Sequence, residues 1–388
     1  MTAAMPILRA LLLLAALVPA AQESGPPKSS PGAARAPAEA EVLTPAWEVD
    51  APGPLPWLAA LEDRVLVTAR GGEVAAHAAL TGEALWRARI PSPPASAPVA
   101  VAGRLAALTA DGSLILLDGR TGALAARAGP FGPGSHLSAL PSGLAVADPA
   151  GSVTLLDPAE GRILWAMPIQ DSPSAPAGQC EETILAGSAQ GTVTALTAAD
   201  GSVRWRRAIG AAITTAPACS RRRAYIGSAD NRLHAFRAGR RRANLRWSYL
   251  TGGDLAGQPL VFGERVVFVS FDTYLYALDA DNGHLSWKVR LGRRPSASGA
   301  LAGDLLLVAP LNTERLESFR LPAGTQAASM ALPPGRGRFV SPPTVAGDMV
   351  VIAAADYGQE TARVMGLDPR LAAAAAGGGA AGSKGSGR

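Results

Sequence analysis

The sequence predicts an all-β protein, an eight-bladed β-propeller of four-stranded antiparallel blades whose ring is closed by an N-terminal strand. Three observations predict it. A Gly-x-x-x-Trp signature returns about every 40 residues, and short runs of strand-like alternation fill each interval. The third lies at the ends: the first marker has no strands before it, and the last unit has no marker strand after it.

The markers are Trp47, Trp86, Trp165, Trp205, Trp247 and Trp287, with Ala126 and Ala328 holding the same phase at two further beats. Successive spacings are 39, 40, 39, 40, 42, 40 and 41 residues. A repeat of this length is one supersecondary unit copied along the chain, so the fold reads as an array.

One copy shows the elements in order. Thr183 to Ala186 reads as a strand, Gly187 to Gly191 as a turn, and Thr192 to Ala195 alternates polar and apolar with the period of a half-buried strand. Asp200-Gly201 marks a hairpin before the strand that carries Trp205. Ala216-Pro217-Ala218 opens the next copy. Four short strands per unit, with no sustained helical period, indicate a propeller blade. Gly82, Gly122, Gly161, Gly201 and Gly283 precede their markers by four residues, and Asp118, Asp157 and Asp279 end third strands. The regular phase of the tryptophans assigns them to packing between blades. Trp47 carries a fourth-strand marker alone, and the unit from about Pro333 to Asp368 lacks a fourth strand. The two chain ends therefore complete one blade and leave no open edge.

The run Gly191 to Trp205, G-x-V-x-A-L-x-x-x-x-G-x-x-x-W, and its copy from Tyr274 to Trp287 resemble the tryptophan-docking repeat of the pyrroloquinoline-quinone (PQQ) propeller superfamily. The resemblance covers roughly residues 43 to 370. It implies either a quinoprotein dehydrogenase or a cofactor-free scaffold of the BamB type, which serves the insertion of β-barrels into the bacterial outer membrane. The single propeller is similar in plan to BamB. The lipobox cysteine of that family does not occur in this sequence.

The remaining segments read as appendages. Residues 1–20, with one Arg before an apolar run and Val18-Pro19-Ala20 at its end, have the pattern of a secretory signal peptide. An uncleaved anchor is the alternative. Residues 21–41 read as a flexible Pro/Ala/Ser-rich linker, 42–370 as the propeller, and 371–388 as a disordered Ala/Gly-rich tail. Cys180 and Cys219 stand 39 residues apart, nearly one repeat. Equivalent loops of adjacent blades in an oxidising compartment make them a candidate disulfide, and two small buried thiols are the alternative.

Little in the sequence points to catalysis. His77, His136, His234 and His284 fall in different units without metal-ligand spacing. Asp279 to Gly283 lacks the alternating ligands of a calcium loop and reads as a strand turn. No phosphate-binding loop and no nucleophile elbow is present. The vicinal cysteine pair common in quinoprotein dehydrogenases does not occur either. Trp57, out of phase with the other tryptophans, aligns with Ala97 on an innermost strand, where channel packing competes with ligand stacking.

Charge is distributed unevenly. From Arg204 to Arg246 there are 12 arginines and one acid, Asp230, so this window carries +11 against +5 for the whole chain. Arg221, Arg222 and Arg223 fall between the first two strands of the fifth unit, and Arg240, Arg241 and Arg242 between its last two. Both loops leave the same side of a blade. These six are the candidate partner-binding residues, for acidic protein loops or anionic lipid. The expectation is a non-enzymatic periplasmic scaffold that works as a monomer within an envelope complex. It needs no cofactor or metal, does not bind nucleic acid, and docks periplasmic domains of an outer-membrane barrel-assembly protein. A PQQ-binding dehydrogenase or quinone sensor, and a scaffold of another envelope complex, are the alternatives.

Overall fold

The computed structural model describes residues 41–368 except 43, 52, 54–55, 221, 239–241, 296–297, 311 and 357–359. The expected signal peptide, most of the linker and the tail lie outside the described residues. Every helix or strand among these residues is a β-strand. The chain begins with β1 (Glu41–Val42) and β2 (Trp47–Asp50). Blade one is β3 (Trp57–Leu61), β4 (Arg64–Thr68), β5 (Glu73–Ala78) and β6 (Ala84–Arg89). Blade two is β7 (Val99–Val101), β8 (Arg104–Leu108), β9 (Leu114–Asp118) and β10 (Leu124–Ala128). Blade three is β11 (His136–Leu140), β12 (Gly143–Asp148), β13 (Ser152–Leu156) and β14 (Ile163–Pro168). Blade four is β15 (Gly178–Cys180), β16 (Thr183–Gly187), β17 (Thr192–Thr197) and β18 (Val203–Ala208). Blade five is β19 (Ala218–Ser220), β20 (Arg223–Ser228), β21 (Arg232–Ala238) and β22 (Ala243–Leu250). Blade six is β23 (Leu260–Phe262), β24 (Arg265–Val269), β25 (Tyr274–Asp279) and β26 (Leu285–Arg290). Blade seven is β27 (Ala300–Ala302), β28 (Leu305–Val308), β29 (Arg315–Arg320) and β30 (Thr325–Ala331). The last turn of the ring holds β31 (Arg338–Phe339), β32 (Thr344–Ala346), β33 (Met349–Ala355) and β34 (Arg363–Leu367).

The eighth blade closes with both chain ends. β2 pairs antiparallel with β34, Trp47 opposite Gly366 and Asp50 opposite Arg363. The Glu48 carboxylate accepts from Arg336 at 2.8 Å and Arg363 at 2.6 Å, so charge reinforces the main-chain ladder. One feature was not expected from the sequence. β1, which begins at the end of the proposed linker, pairs in parallel with β30 and gives blade seven a fifth strand.

First strands face the axis. β3 lies against β7 and β32, β7 against β11, β11 against β15, and β15 against β19. Fourth strands form the outer wall. Hydrophobic cores lie in the seams, each drawn from two neighbouring blades. At the seam of blades four and five, for example, Leu185, Val193 and Trp205 meet Ala224, Ile226 and Phe236.

The Gly-x-x-x-Trp signature is a contact across these seams. Gly201 opens the last strand of blade four at φ 72°, and a Cβ there would lie 2.6 Å from the Trp165 ring of blade three. The same glycine-to-preceding-tryptophan contact joins Gly82 to Trp47, Gly122 to Trp86, Gly283 to Trp247 and Gly324 to Trp287. Indole N–H groups of Trp47, Trp86, Trp165 and Trp247 donate across the seam to the carbonyls of Ala79, Gly119, Ala198 and Ala280. A β-bulge just before each marker in blades one to seven turns its side chain into the seam. Where Ala126 replaces tryptophan, Leu116 stands opposite it and packs towards Gly161. Bulk lost on the fourth strand is restored on the third.

Aspartates fix the hairpins. The Asp279 carboxylate accepts from the backbone N–H groups of Asp281 and Asn282 at 2.9 and 3.0 Å, and Asp118 and Asp157 do the same in blades two and three. The Asp279 to Gly283 stretch is thus a strand turn.

Candidate functional site

Two places could host function: the axial channel and the face that carries the loops between first and second and between third and fourth strands, here called the upper face. The channel holds a cavity of about 610 Å³ lined by first strands of blades two to six. Its polar groups are Ser138, Gln179, Thr214, Thr215 and Gln258, and no Asp, Glu, Lys or Arg among the described residues lines it. Gln179 is committed to neighbouring loops, accepting from the Ser142 hydroxyl at 2.7 Å and donating to the Glu181 carbonyl. PQQ is a tricarboxylate and needs cations and metal-binding acids around it. This uncharged lining does not fit it. Trp57 lies on β3, an innermost strand, with the Arg70 guanidinium 5.0 Å over its ring.

On the upper face, Arg222 lies in the turn joining β19 to β20, Arg223 opens β20 rather than lying in the loop as expected, because it pairs opposite Ser220, and Arg242 lies just before β22. Arg221, Arg240 and Arg241 lie outside the described residues. Arg222 sits at φ 63°, in the left-handed region. Its Nε is 3.0 Å from Glu181 Oε2 in blade four. Arg223 pairs with Asp281 in blade six. Arg204 pairs with Glu182 at 3.5 Å. Glu181 and Asp281 belong to the repeats on either side of blade five, whereas Glu182 lies in the same blade as Arg204. Arg223 also occupies a recurring strap position. Arg64 and Arg265, at the same place in blades one and six, donate to the carbonyls of Gly119 and Pro322 in the next blade. Arg237 and Arg242 are exposed and make no ion pair among the described residues.

A disulfide joins Cys180 and Cys219, with Cα atoms 5.2 Å apart. It ties β15 to β19 beneath the arginine-bearing turn, and Cys180 Sγ lies 3.7 Å from the Arg223 carbonyl. Covalent tie, ion pair and turn thus form one unit between blades four and five.

The opposite face carries a set of polar turns that sequence reading missed. Ser228 Oγ donates to Asp230 at 2.6 Å, and His234 Nε2 lies 3.1 Å from the same carboxylate. Burial holds the His234 pKa below its usual value, although Asp230 pulls the other way. The carboxylate stands between hydroxyl and imidazole, so serine and histidine do not form a nucleophile–base pair. Blades two and six use the same position, with Thr109 on Asp111 and Tyr276 on Asp272. The signal was a Ser/Thr-x-Asp spacing at one phase of the repeat, and it builds turns. No cluster of His, Cys, Asp or Glu among the described residues is arranged to hold a metal ion.

The family model described as outer membrane protein assembly factor BamB matches residues 44–127, 149–252, 240–336 and 272–371. The chain belongs to the BamB family. BamB from Moraxella catarrhalis superposes with a TM-score of 0.64 at 18% identity, over 84% of this chain and 100% of that one. The computationally designed Ika8 protein superposes at 0.68 and 14% identity, and Sqt1 of Saccharomyces cerevisiae at 0.65 and 10%. Each of these two covers 82% of this chain and 98% of its own. At these identities the solved structures speak for the propeller alone. No curated protein matches the sequence.

Proposed function

We propose that the chain is a non-enzymatic scaffold of the bacterial periplasm that docks a component of outer-membrane β-barrel assembly on its upper face. The family match along the propeller carries this reading. The lining of the cavity in blades two to six, uncharged among the described residues, favours it over a quinone-dependent dehydrogenase, because a tricarboxylate cofactor would lose its hydration there without compensating charge.

The docking residues in this reading are the arginines of the hairpin before β22, Arg240, Arg241 and Arg242. Arg222 and Arg223 position the adjoining turn through their pairs with Glu181 and Asp281. The test is a titration with purified periplasmic domains of a barrel-assembly protein, comparing the parent with a variant carrying Glu at 240, 241 and 242. Salt-sensitive binding that the folded variant loses is the expected result. Binding of equal strength and equal salt dependence would remove the hairpin from the docking surface. Tight binding of PQQ with calcium would overturn the scaffold reading.

A further inference from the structure

Charge in this propeller is sorted by position. Carboxylates gather at hairpin turns on the two flat faces, with Asp118, Asp157 and Asp279 above and Asp111, Asp230 and Asp272 below. The outer wall is different. Among the fourth strands of blades one to seven, β6, β10, β18, β22 and β26 carry Arg or Lys, and none of the seven carries Asp or Glu. Some of these cations turn to a neighbouring acid, such as Arg127 to Asp111 at 3.5 Å and Arg89 to Glu73 at 3.9 Å. Arg206 and Arg207 on β18 and Arg246 on β22 are exposed and make no ion pair among the described residues. β18 lies against β22, so all three share one sector of the wall.

The same strands carry the exposed apolar groups. Of the exposed large hydrophobic side chains among the described residues, all but Leu80 lie on fourth strands. In the cationic sector these are Leu245, 45% exposed, and Leu250, 57% exposed. Guanidinium groups interleaved with protruding aliphatics on outer strands that themselves carry no acid match a lipid interface. There phosphate meets the cations and the acyl boundary receives the leucines. Arg237 extends the field at its upper end.

We propose that the outer wall of blades four and five binds the surface of an anionic lipid bilayer, with Arg206, Arg207 and Arg246 on lipid phosphates and Leu245 and Leu250 inserted between headgroups. The wall would hold the scaffold against the membrane while the upper face stays free for protein docking. The two surfaces are separate, so either can fail without the other.

Vesicle flotation tests this. The full chain is mixed with vesicles of phosphatidylglycerol and phosphatidylcholine, or of phosphatidylcholine alone, and the difference in bound fraction is the readout. That difference removes any charge-independent contribution of the apolar N-terminal run. A preference for the anionic vesicles is expected, falling as salt rises. The variant Arg206→Glu, Arg207→Glu, Arg246→Glu, with an unchanged melting curve, should lower the anionic partition by more than about ten-fold. Leu245→Ser with Leu250→Ser should lower what binding survives at high salt. A second arm uses soluble polyglutamate. If the arginine variant loses polyglutamate but floats with anionic vesicles like the parent, the wall is an acidic-protein site and the proposal is wrong. Equal flotation of the parent with both vesicle types also overturns it.

Discussion

Blade five and blade eight solve the same packing problem in opposite ways. Blade five is a single continuous stretch, and its departures from the repeat are additions. Its hairpin is longer, and Ala243 stands where other blades place the glycine that faces the preceding tryptophan. A disulfide and an ion pair tie it to blade four, and Arg223 ties it to blade six. Blade eight is assembled from two pieces of chain. It holds its closing strand by the β2–β34 ladder, by Trp47 packed beneath Gly82, and by the two guanidinium groups on Glu48. The contrast teaches that the ring closes by non-covalent contacts between distant pieces of chain, and that covalent reinforcement sits instead beside the candidate docking loops.

The sharpest break in that comparison comes from removing the clasp. Deleting residues 41–50 takes away β1, β2 and Trp47, and should cost more than about 5 kcal/mol, beyond a single buried aromatic. An unchanged melting curve for the truncated protein would mean that β2 does not close the ring. Next, Trp205→Ala should cost about 3–5 kcal/mol, since Trp205 is 8% exposed and packs among Phe236, Ile226 and Ala243. A loss below about 1 kcal/mol by denaturant titration would move the energetic centre of this seam away from the tryptophan. Replacing Cys180 and Cys219 by Ser should cost about 2–4 kcal/mol, as expected for a bridge spanning 39 residues. Calorimetry of oxidised parent and double variant checks this, and equal stability would leave blade five with no covalent advantage over blade eight.

The smallest effect is one of pH, and it belongs to the clasp. His77 pairs opposite Val65, which packs with Trp47, and its Nδ1 lies 3.0 Å from the Gly82 carbonyl. Burial lowers its pKa from 6.5. The unfolded chain then binds the proton more readily, so stability is full above 6.5 and declines as pH falls towards the folded value. His77→Leu, the residue type at this phase in blades two, three, four and six, should flatten that decline relative to the parent. Parallel pH curves for the two proteins would assign the acid sensitivity to His136 and His234, which burial shifts in the same direction.

The sequence revealed the architecture because the repeat is written in residues with few substitutes. Trp47 without preceding strands was enough to place the closing strand against the last unit. The marker glycines read as turn residues, and that was half of their role. Contact with the tryptophan of the preceding blade depends on how blades stack, which a single repeat does not encode. The arginine window shows the limit of counting along a chain. Glu181 and Asp281 lie outside the window, yet they meet Arg222 and Arg223 because neighbours in a ring are one repeat apart in sequence. The strap position of Arg223 was legible, since Arg64, Arg104 and Arg265 begin the second strands of three other blades. β1 was not legible, because two residues with no alternation give no strand signal.

The clasp also sets an order of events. Glu48 and Arg363 meet across 315 residues, so β2, among the first strands to leave the ribosome, is among the last to find its partner. Seven blades can each form from local hairpins as they emerge. The eighth waits for nearly the whole chain, with the edge of β2 unpaired in the meantime. Ring closure is thus the longest-range pairing in the fold, the kind of contact whose loop-closure entropy is met before it is rewarded.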